Sequence, residues 1–553
     1  MMKKLIFILA AAFFLYGCID NDLPYPVVVP HITALDVIDA ESVTIDYESQ
    51  VVTVVFPETK DLRSVMITDV ELDQQIAVPS IDIIGPHDLS SPLKFKIRTY
   101  EDYAWTIVGV RNVERYFTVE GQMGSSVIDP ANCRAIAMVG KDADITDVKV
   151  TSLKLGPRGL STYSVDYSCM KDFTHGVSVD VTAFDLTQTW TLFVEITDAG
   201  VEIEKVNPWA RHAFVTSIGV AGQKNGFKYR LKGADEWMDV SDSEITSDGG
   251  AFTACIKGLQ PETVYEVVAF SGSDKSSIHE FETEPATAIP NGSFEYASKV
   301  AGKDYFKFYD PSCGVEEGMY MFWGSGNGEG PEGVNGSANM GIVITYIDTE
   351  DKVDGKQSVR AQTSQLAGML AAGNLFTGQF AGLVGTSGGK VNFGRPWTTR
   401  PSALKLYCKY KTGKVDIING TPAGVTLTKE DYDRADIKVA IGNWSYKTYG
   451  GTPESPVHVN TTDAKTFVDF NTDKSTIANG NVTIHHDGYV INGEGKVTAD
   501  TDSWVEYTIP LNYHDMYEKP THIIISCAAS MYGDYFTGCS SSKLWIDAVE
   551  LVY

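Results

Sequence analysis

The chain has 553 residues, with 45 Lys+Arg against 72 Asp+Glu and a formal net charge of −27. That charge repels phosphate backbones and anionic lipid, which excludes nucleic acid as an expected partner, and the length calls for several domains. Cys18, Cys133, Cys169, Cys255, Cys313, Cys408, Cys527 and Cys539 form no CxxC pair, which excludes a zinc ribbon and a redox motif. A body this large can be stabilised by core burial without a disulfide framework. Cys527 and Cys539 could pair, but buried free thiols are the expectation.

The chain opens with MMKKLIFILAAAFFLYGC. Lys3 and Lys4 form a charged head and Leu5 to Leu15 an apolar run too short to cross a bilayer, the pattern of a signal peptide over 1–17. Leu15-Tyr16-Gly17-Cys18 resembles a bacterial lipoprotein cleavage box, with Tyr16 bulkier than usual. The resemblance implies that Cys18 becomes the lipidated N-terminus, followed by a linker over 18–23, and several acyl chains on one cysteine anchor stably. Asp20 and Asp22 then resemble the surface-export signal of glycan-degrading gut bacteria. The alternatives are a solvated acidic linker and a periplasmic face.

From there the pattern is all-β. Val, Ile, Thr, Tyr and Phe alternate with polar residues, turns rich in Gly and Asp separate the runs, and long helical periodicity is absent. SVTIDYESQVVTVVFP (42–57) and SPLKFKIRTYEDYAWTIVGVRN (91–112) read as strand pairs of an immunoglobulin-like sandwich over 24–120. A second sandwich is expected over 121–206, with VSVDVTAFDLTQTWTLFVEIT as its clearest pair. In LQPETVYEVVAF, the spacing of Leu259, Pro261, Thr263, Tyr265 and Val267 resembles the tyrosine corner of fibronectin type III domains. There the ring is buried and the hydroxyl bonds a nearby backbone group. That domain is assigned to 207–284, and EPATAIP reads as a linker.

The last domain, 290–553, opens with NGSFE (291–295) and closes with KLWIDAVELVY (543–553). These resemble the bookends of jelly-roll carbohydrate-binding modules of the galactose-binding type, in which first and last strands are neighbours. Phe294 is expected to plug the core. Asp547, Val549 and Leu551 are expected to share one side of the last strand. The resemblance implies a structural calcium shared by Glu295 and Asp547, whose hard oxygens suit that ion; Ala548 stands where the family often has a second Asp. AAGNLFTGQF, RPSALKLYCKYKTG, YTIPLNYHDMYEKPTHIIISCAAS and YGDYFTGCSSSKLWIDAVELVY together resemble the family called the putative carbohydrate metabolism domain (PCMD). It occurs at the C-terminus of exported lipoproteins of glycan-degrading gut bacteria. The upstream half resembles the spacers of such proteins.

Catalytic motifs are sparse. GTSGG (385–389) fits G-x-S-x-G around Ser387, but a nucleophile elbow needs a helix next and KVNFGRPW follows. His485 and His486 would face opposite sides of a strand and could not share a metal. DFNTD (469–473) starts like a calcium loop, but Lys474 and Gly480 stand where an EF-hand needs Gly and Glu. WGSGNGEGPEGVNG (323–336) lacks a phosphate-loop lysine. A pair of glycosidase carboxylates cannot be picked from so many acids.

Aromatic residues carry the remaining expectation, because sugar rings stack their C–H faces on Trp and Tyr while Asn, Asp and Arg take the hydroxyls. The candidates are Trp323 and Asn327 in the glycine-rich loop, Arg395 and Trp397 in GRPWTTRP, and Trp444. By resemblance, the chain is a lipid-anchored outer-membrane protein facing the cell exterior. It would hold a glycan without cleaving it, in contact with importer or enzyme partners. The alternatives are a glycoside hydrolase or other carbohydrate-active enzyme, and an adhesin or structural surface subunit.

Overall fold

The computed structural model describes residues 27–553 except 199, 301, 309–320, 329–333, 367, 386, 423, 487–488, 493–494 and 499–502. The signal segment, Cys18, Asp20 and Asp22 lie outside the described residues. The described chain is all-β, three sandwiches followed by a larger jelly roll.

In the first sandwich a three-stranded and a five-stranded sheet close over Trp105, Phe56, Val52 and Val54. The strand Val51–Pro57 shows the cause: Val52, Val54 and Phe56 are buried while their neighbours are not, the period of two of a half-covered strand. The second sandwich begins earlier than its sequence suggests. Tyr116–Val119 pairs with Val150–Lys154, so its first strand precedes residue 121. Likewise Glu202–Pro208 pairs with His212–Ile218 and belongs to the third sandwich, ahead of 207. Both runs are short edge segments whose partners alone assign them to a domain. In the third sandwich Tyr265 is buried and its hydroxyl accepts the backbone N–H of Gln260 at 3.0 Å, the tyrosine corner expected from the spacing.

The sandwiches are joined by specific contacts. Lys154 of the second meets Glu58 of the first at 2.7 Å. Between the second and third the joint is main chain: Ala221 N–H donates to Gln122 O, Gly124 N–H to Gly219 O, and Gly250 N–H to Gly124 O. Glycine is required at position 250, where a Cβ would lie 2.4 Å from both Gly124 N and Gly219 O. EPATAIP is less free than a linker: Glu284 and Ile289 are buried at its two ends.

The C-terminal domain packs two sheets face to face. An 11-stranded sheet runs, on its main path, through Val457–Asn460, Gly388–Phe393, Asn374–Val384, His522–Ala528, Ala435–Gly442 and Thr476–Ile484. The opposing five-stranded sheet centres on Ala403–Lys411 and Lys543–Val552. Leu404, Leu406, Ile437, Val439, Ile523, Ile525, Leu544 and Ile546 fill the space between. Cys408, Cys527 and Cys539 are buried free thiols, so the possible pairing of Cys527 with Cys539 is not made. Ser387 lies between the paired strands Asn374–Val384 and Gly388–Phe393, its N–H on Val384 O, and a strand rather than the helix of a nucleophile elbow follows it.

Two expectations about the ends are corrected. NGSFE is a turn rather than a strand, with Asn291 and Phe294 at positive φ. The ends still meet, through Val549 N–H on Gly292 O at 2.9 Å, and Phe294 is wholly buried as expected. In the last strand a bulge at Ala548 (φ 48°) breaks the alternation. Leu544, Ile546, Val549 and Leu551 therefore pack on the core, and Asp547 does not share their side.

Candidate functional site

The five residues expected to meet a glycan are in the interior. Trp323 is 1% exposed, paired in a short strand with Asn374–Val384, and donates its indole N–H to Pro290 O at 2.9 Å. Asn327 is fully buried and spends both ends of its amide on Thr345 O and Ile344 N–H. Arg395, 1% exposed, donates to Phe322 O, Gly378 O and Ser455 Oγ. Trp397 is buried with its ring 6.3 Å from that of Phe322. Trp444 is buried and donates to Asp473 Oδ2 at 2.9 Å. A side chain so enclosed cannot stack on a sugar, so these residues build the domain rather than its ligand site.

Glu295 and Asp547 converge on the loop before Ser358. Asp547 Oδ2 accepts the N–H groups of Val353 (2.8 Å) and Asp354 (3.0 Å), and its Oδ1 accepts that of Ala548 (2.8 Å). Glu295 Oε1 accepts the N–H of Lys356 at 2.8 Å. Burial pushes the Asp547 carboxyl up, and these amides pull it back. Both Asp547 oxygens and Glu295 Oε1 are thus engaged with main-chain N–H groups. Among the described residues no group of three or more His, Cys, Asp or Glu could hold a metal ion. The donor set does not fit the calcium expected there; both carboxylates hold a loop by its main chain.

A different site emerges on the outer face of the 11-stranded sheet. Along Ala435–Gly442 the residues Ala435, Ile437, Val439 and Ile441 join the core. Lys438 and Ala440 therefore point outward. Register places Lys438 beside Asn481 on one neighbour and Ser526 on the other. These three make a polar row across adjacent strands, spanning roughly 10 Å at the usual strand spacing. The Asn481 amide and Ser526 Oγ make no hydrogen bond with the described residues, and both line a cavity of about 450 Å³.

The walls come from two excursions. The segment between Val457–Asn460 and Thr476–Ile484 brings Phe467, Val468, Asp469, Phe470 and Asn471 over the sheet. It is held by a small second core of Ala440, Trp444, Val457, Val459 and Ile524. Asp473 locks that core, accepting from Trp444, from the Tyr449 hydroxyl at 2.5 Å and from Thr476 at 2.9 Å. The turn after His522–Ala528 supplies Met531, Tyr532, Asp534 and Tyr535. Its base is fixed by buried Asp433, which accepts from Ser530, Ser542 and Cys539 N–H. Tyr535 meets Phe467 edge to face at 5.5 Å, joining one wall to the other. A second cavity of about 390 Å³, mostly apolar, lies on the far side of Asp534.

The electrostatics are acidic. Lys438 Nζ lies 3.0 Å from Asp436 Oδ2. Burial works to lower the Lys438 pKa, but Asp436 and then Asp534 and Asp469 raise it on balance. Asp534 is exposed; nearby protein still raises its pKa by desolvation, Lys438 opposes the rise and Asp436 adds to it. The arrangement of polar floor, aromatic walls and unspent donors and acceptors suits a molecule with hydroxyl edges and C–H faces.

Residues 293–552 match the model of the family described as the putative carbohydrate metabolism domain. The C-terminal domain is thus carbohydrate-related. No curated protein matches the chain. Among solved structures, a putative glycoside hydrolase from Bacteroides thetaiotaomicron VPI-5482 is 18% identical, with a TM-score of 0.31, covering 80% of this chain and 97% of that one. A putative glycoside hydrolase from Bacteroides vulgatus ATCC 8482 is 21% identical, with a TM-score of 0.31, covering 48% and 97%. The tandem CBM22 domain of Paenibacillus barcinonensis Xyn10C is 8% identical, with a TM-score of 0.19, covering 71% and 92%. Likeness of this extent bears on neither substrate nor reaction.

Proposed function

We propose that this chain is a lipid-anchored protein of the outer cell surface that holds a glycan without cleaving it, in the cavity over Lys438, Asn481 and Ser526. The glycan would pass to importer or enzyme partners at the same surface. One observation carries the reading: Asn481 and Ser526, whose side chains make no hydrogen bond with the described residues, stand beside Lys438 on a floor flanked by Phe467, Phe470, Tyr532 and Tyr535. Sugar hydroxyls need donors and acceptors not already spent within the protein, and sugar C–H faces need aromatic walls. The family match supports the carbohydrate link, and the resemblance of the LYGC box at Cys18 to a lipoprotein cleavage site supports the anchor.

Titration calorimetry of the whole chain against an oligosaccharide panel tests the reading. Asn481→Ala and Tyr535→Ala should each weaken binding about tenfold, as expected for the loss of one good polar or stacking contact. Unchanged affinity in both would dismiss the cavity. A second reading, hydrolysis, is favoured by the presence of Asp469 and Asp534 in one cavity, the latter with a raised pKa. Release of reducing sugar that disappears in Asp534→Asn would replace the first reading with the second.

A further inference from the structure

We infer that the cavity selects uncharged glycans and turns away those bearing uronate or sulfate groups, an inference that rests on the glycan-binding reading above. Lys438 is the one cation in the cavity lining, among the described residues. Its ammonium is already engaged by Asp436, which is almost fully buried and also receives the Thr483 hydroxyl at 3.3 Å. Asp469 and Asp534 line the same space. An anionic sugar would therefore meet one ammonium already committed to Asp436 beneath it, and the two carboxylates of Asp469 and Asp534.

Asp469 accepts from Asn471 and Thr472, which fixes its place without removing its charge. The raised Lys438 pKa reports the same acidic field from the viewpoint of a cation. Like charges brought together in a partly enclosed site cost far more than in open water. The groups left to read a ligand, the Asn481 amide, Ser526 Oγ and the Tyr532 and Tyr535 hydroxyls, are neutral and both donate and accept. Such groups match hydroxyl, ether and acetamido oxygens. The net −27 of the chain adds a long-range term of the same sign.

The test compares neutral oligosaccharides bound by the whole chain with the same chains oxidised to uronates or sulfated, at low salt and at about 0.5 M salt. The acidic forms should bind at least tenfold more weakly at low salt, and the gap should narrow as salt screens the carboxylates. Asp534→Asn, which removes a carboxylate that makes no hydrogen bond with the described residues, should narrow it as well. Equal or tighter binding of the acidic forms, lost in Asn481→Ala, would overturn the charge selection and leave the site standing. Binding indifferent to both Asn481→Ala and Tyr535→Ala, or none by any member of the panel, would overturn the reading beneath it.

Discussion

Glu284 and Arg400 form an ion pair at 2.8 Å, 5% and 1% exposed, across the boundary between the third sandwich and the C-terminal domain. Arg400 also donates to Asn207 Oδ1, Met516 O and Pro208 O, and lies over the Trp209 ring. A buried pair adds little over an apolar substitute, but removing one partner strands the other charge. Arg400→Met should cost about 3–5 kcal/mol, with Lys519, 3.1 Å from Glu284, compensating only in part. Combining it with Glu284→Leu should restore most of the loss. Denaturant unfolding of the whole chain checks both.

Asp473 is the lock on one cavity wall. Asp473→Ala leaves the Trp444 indole and the Tyr449 hydroxyl without their acceptor. The expected cost is about 2–3 kcal/mol, with glycan affinity falling in parallel because Phe467 and Phe470 ride on the same small core. A variant that lost stability but bound normally would separate the wall from the site.

Asp547→Ala should destabilise by about 3 kcal/mol, the consequence of freeing three amide donors at a buried position. Calcium or chelator should leave the melting temperature of wild type and variant alike unmoved. A calcium-dependent rise seen in the wild type alone would restore the metal between Glu295 and Asp547.

Asp433 gives a pH signature. Burial raises its pKa above the ordinary 3.8, with the Cys539 N–H and Ser530 pulling the other way. The native state then holds its proton more tightly than the unfolded chain. This group's contribution therefore grows as pH falls through the raised native value and levels off near 3.8. Asp433→Asn lacks that term, so its stability deficit against wild type should widen between pH 7 and about 4. Urea midpoints across that range provide the measurement; a deficit independent of pH would refute the assignment.

Lipidation has its own test. Wild type expressed with its leader should partition into detergent, and Cys18→Ala into the aqueous phase, because the whole membrane attachment would rest on one thioether. A variant that stays with detergent removes the anchor.

The strand pairs, the order of the domains and the tyrosine corner could be read from the sequence because each is local. Val52, Val54 and Phe56 announce their face by alternation, and Tyr265 finds Gln260 five residues away. The buried tryptophans could not be read in this way. Trp323 has glycines around it like a loop residue, but its indole partner, Pro290, lies 33 residues upstream. Arg395 sits between Gly394 and Pro396, and its three acceptors come from three separate segments. Lys438, Asn481 and Ser526 each stand at an outward position of an apolar strand, a local signal; only the pairing of three distant strands makes them a row. The bulge at Ala548 shifts the core face from Leu544 and Ile546 to Val549 and Leu551, and apolar residues in both phases, Trp545 and Val552 among them, hide that shift in the sequence.

The main-chain joint at Gly124, Gly219 and Gly250 limits how the second and third sandwiches can turn against each other. Swivelling there would break backbone hydrogen bonds that water can replace but no other protein group can, and Gly250 has no room to rotate past its neighbours. The aim of everything downstream of residue 250 is set relative to the second sandwich before any ligand arrives. Under the proposed glycan-holding role, less orientational freedom would be surrendered on capture, and more of the gross attraction would be kept as affinity.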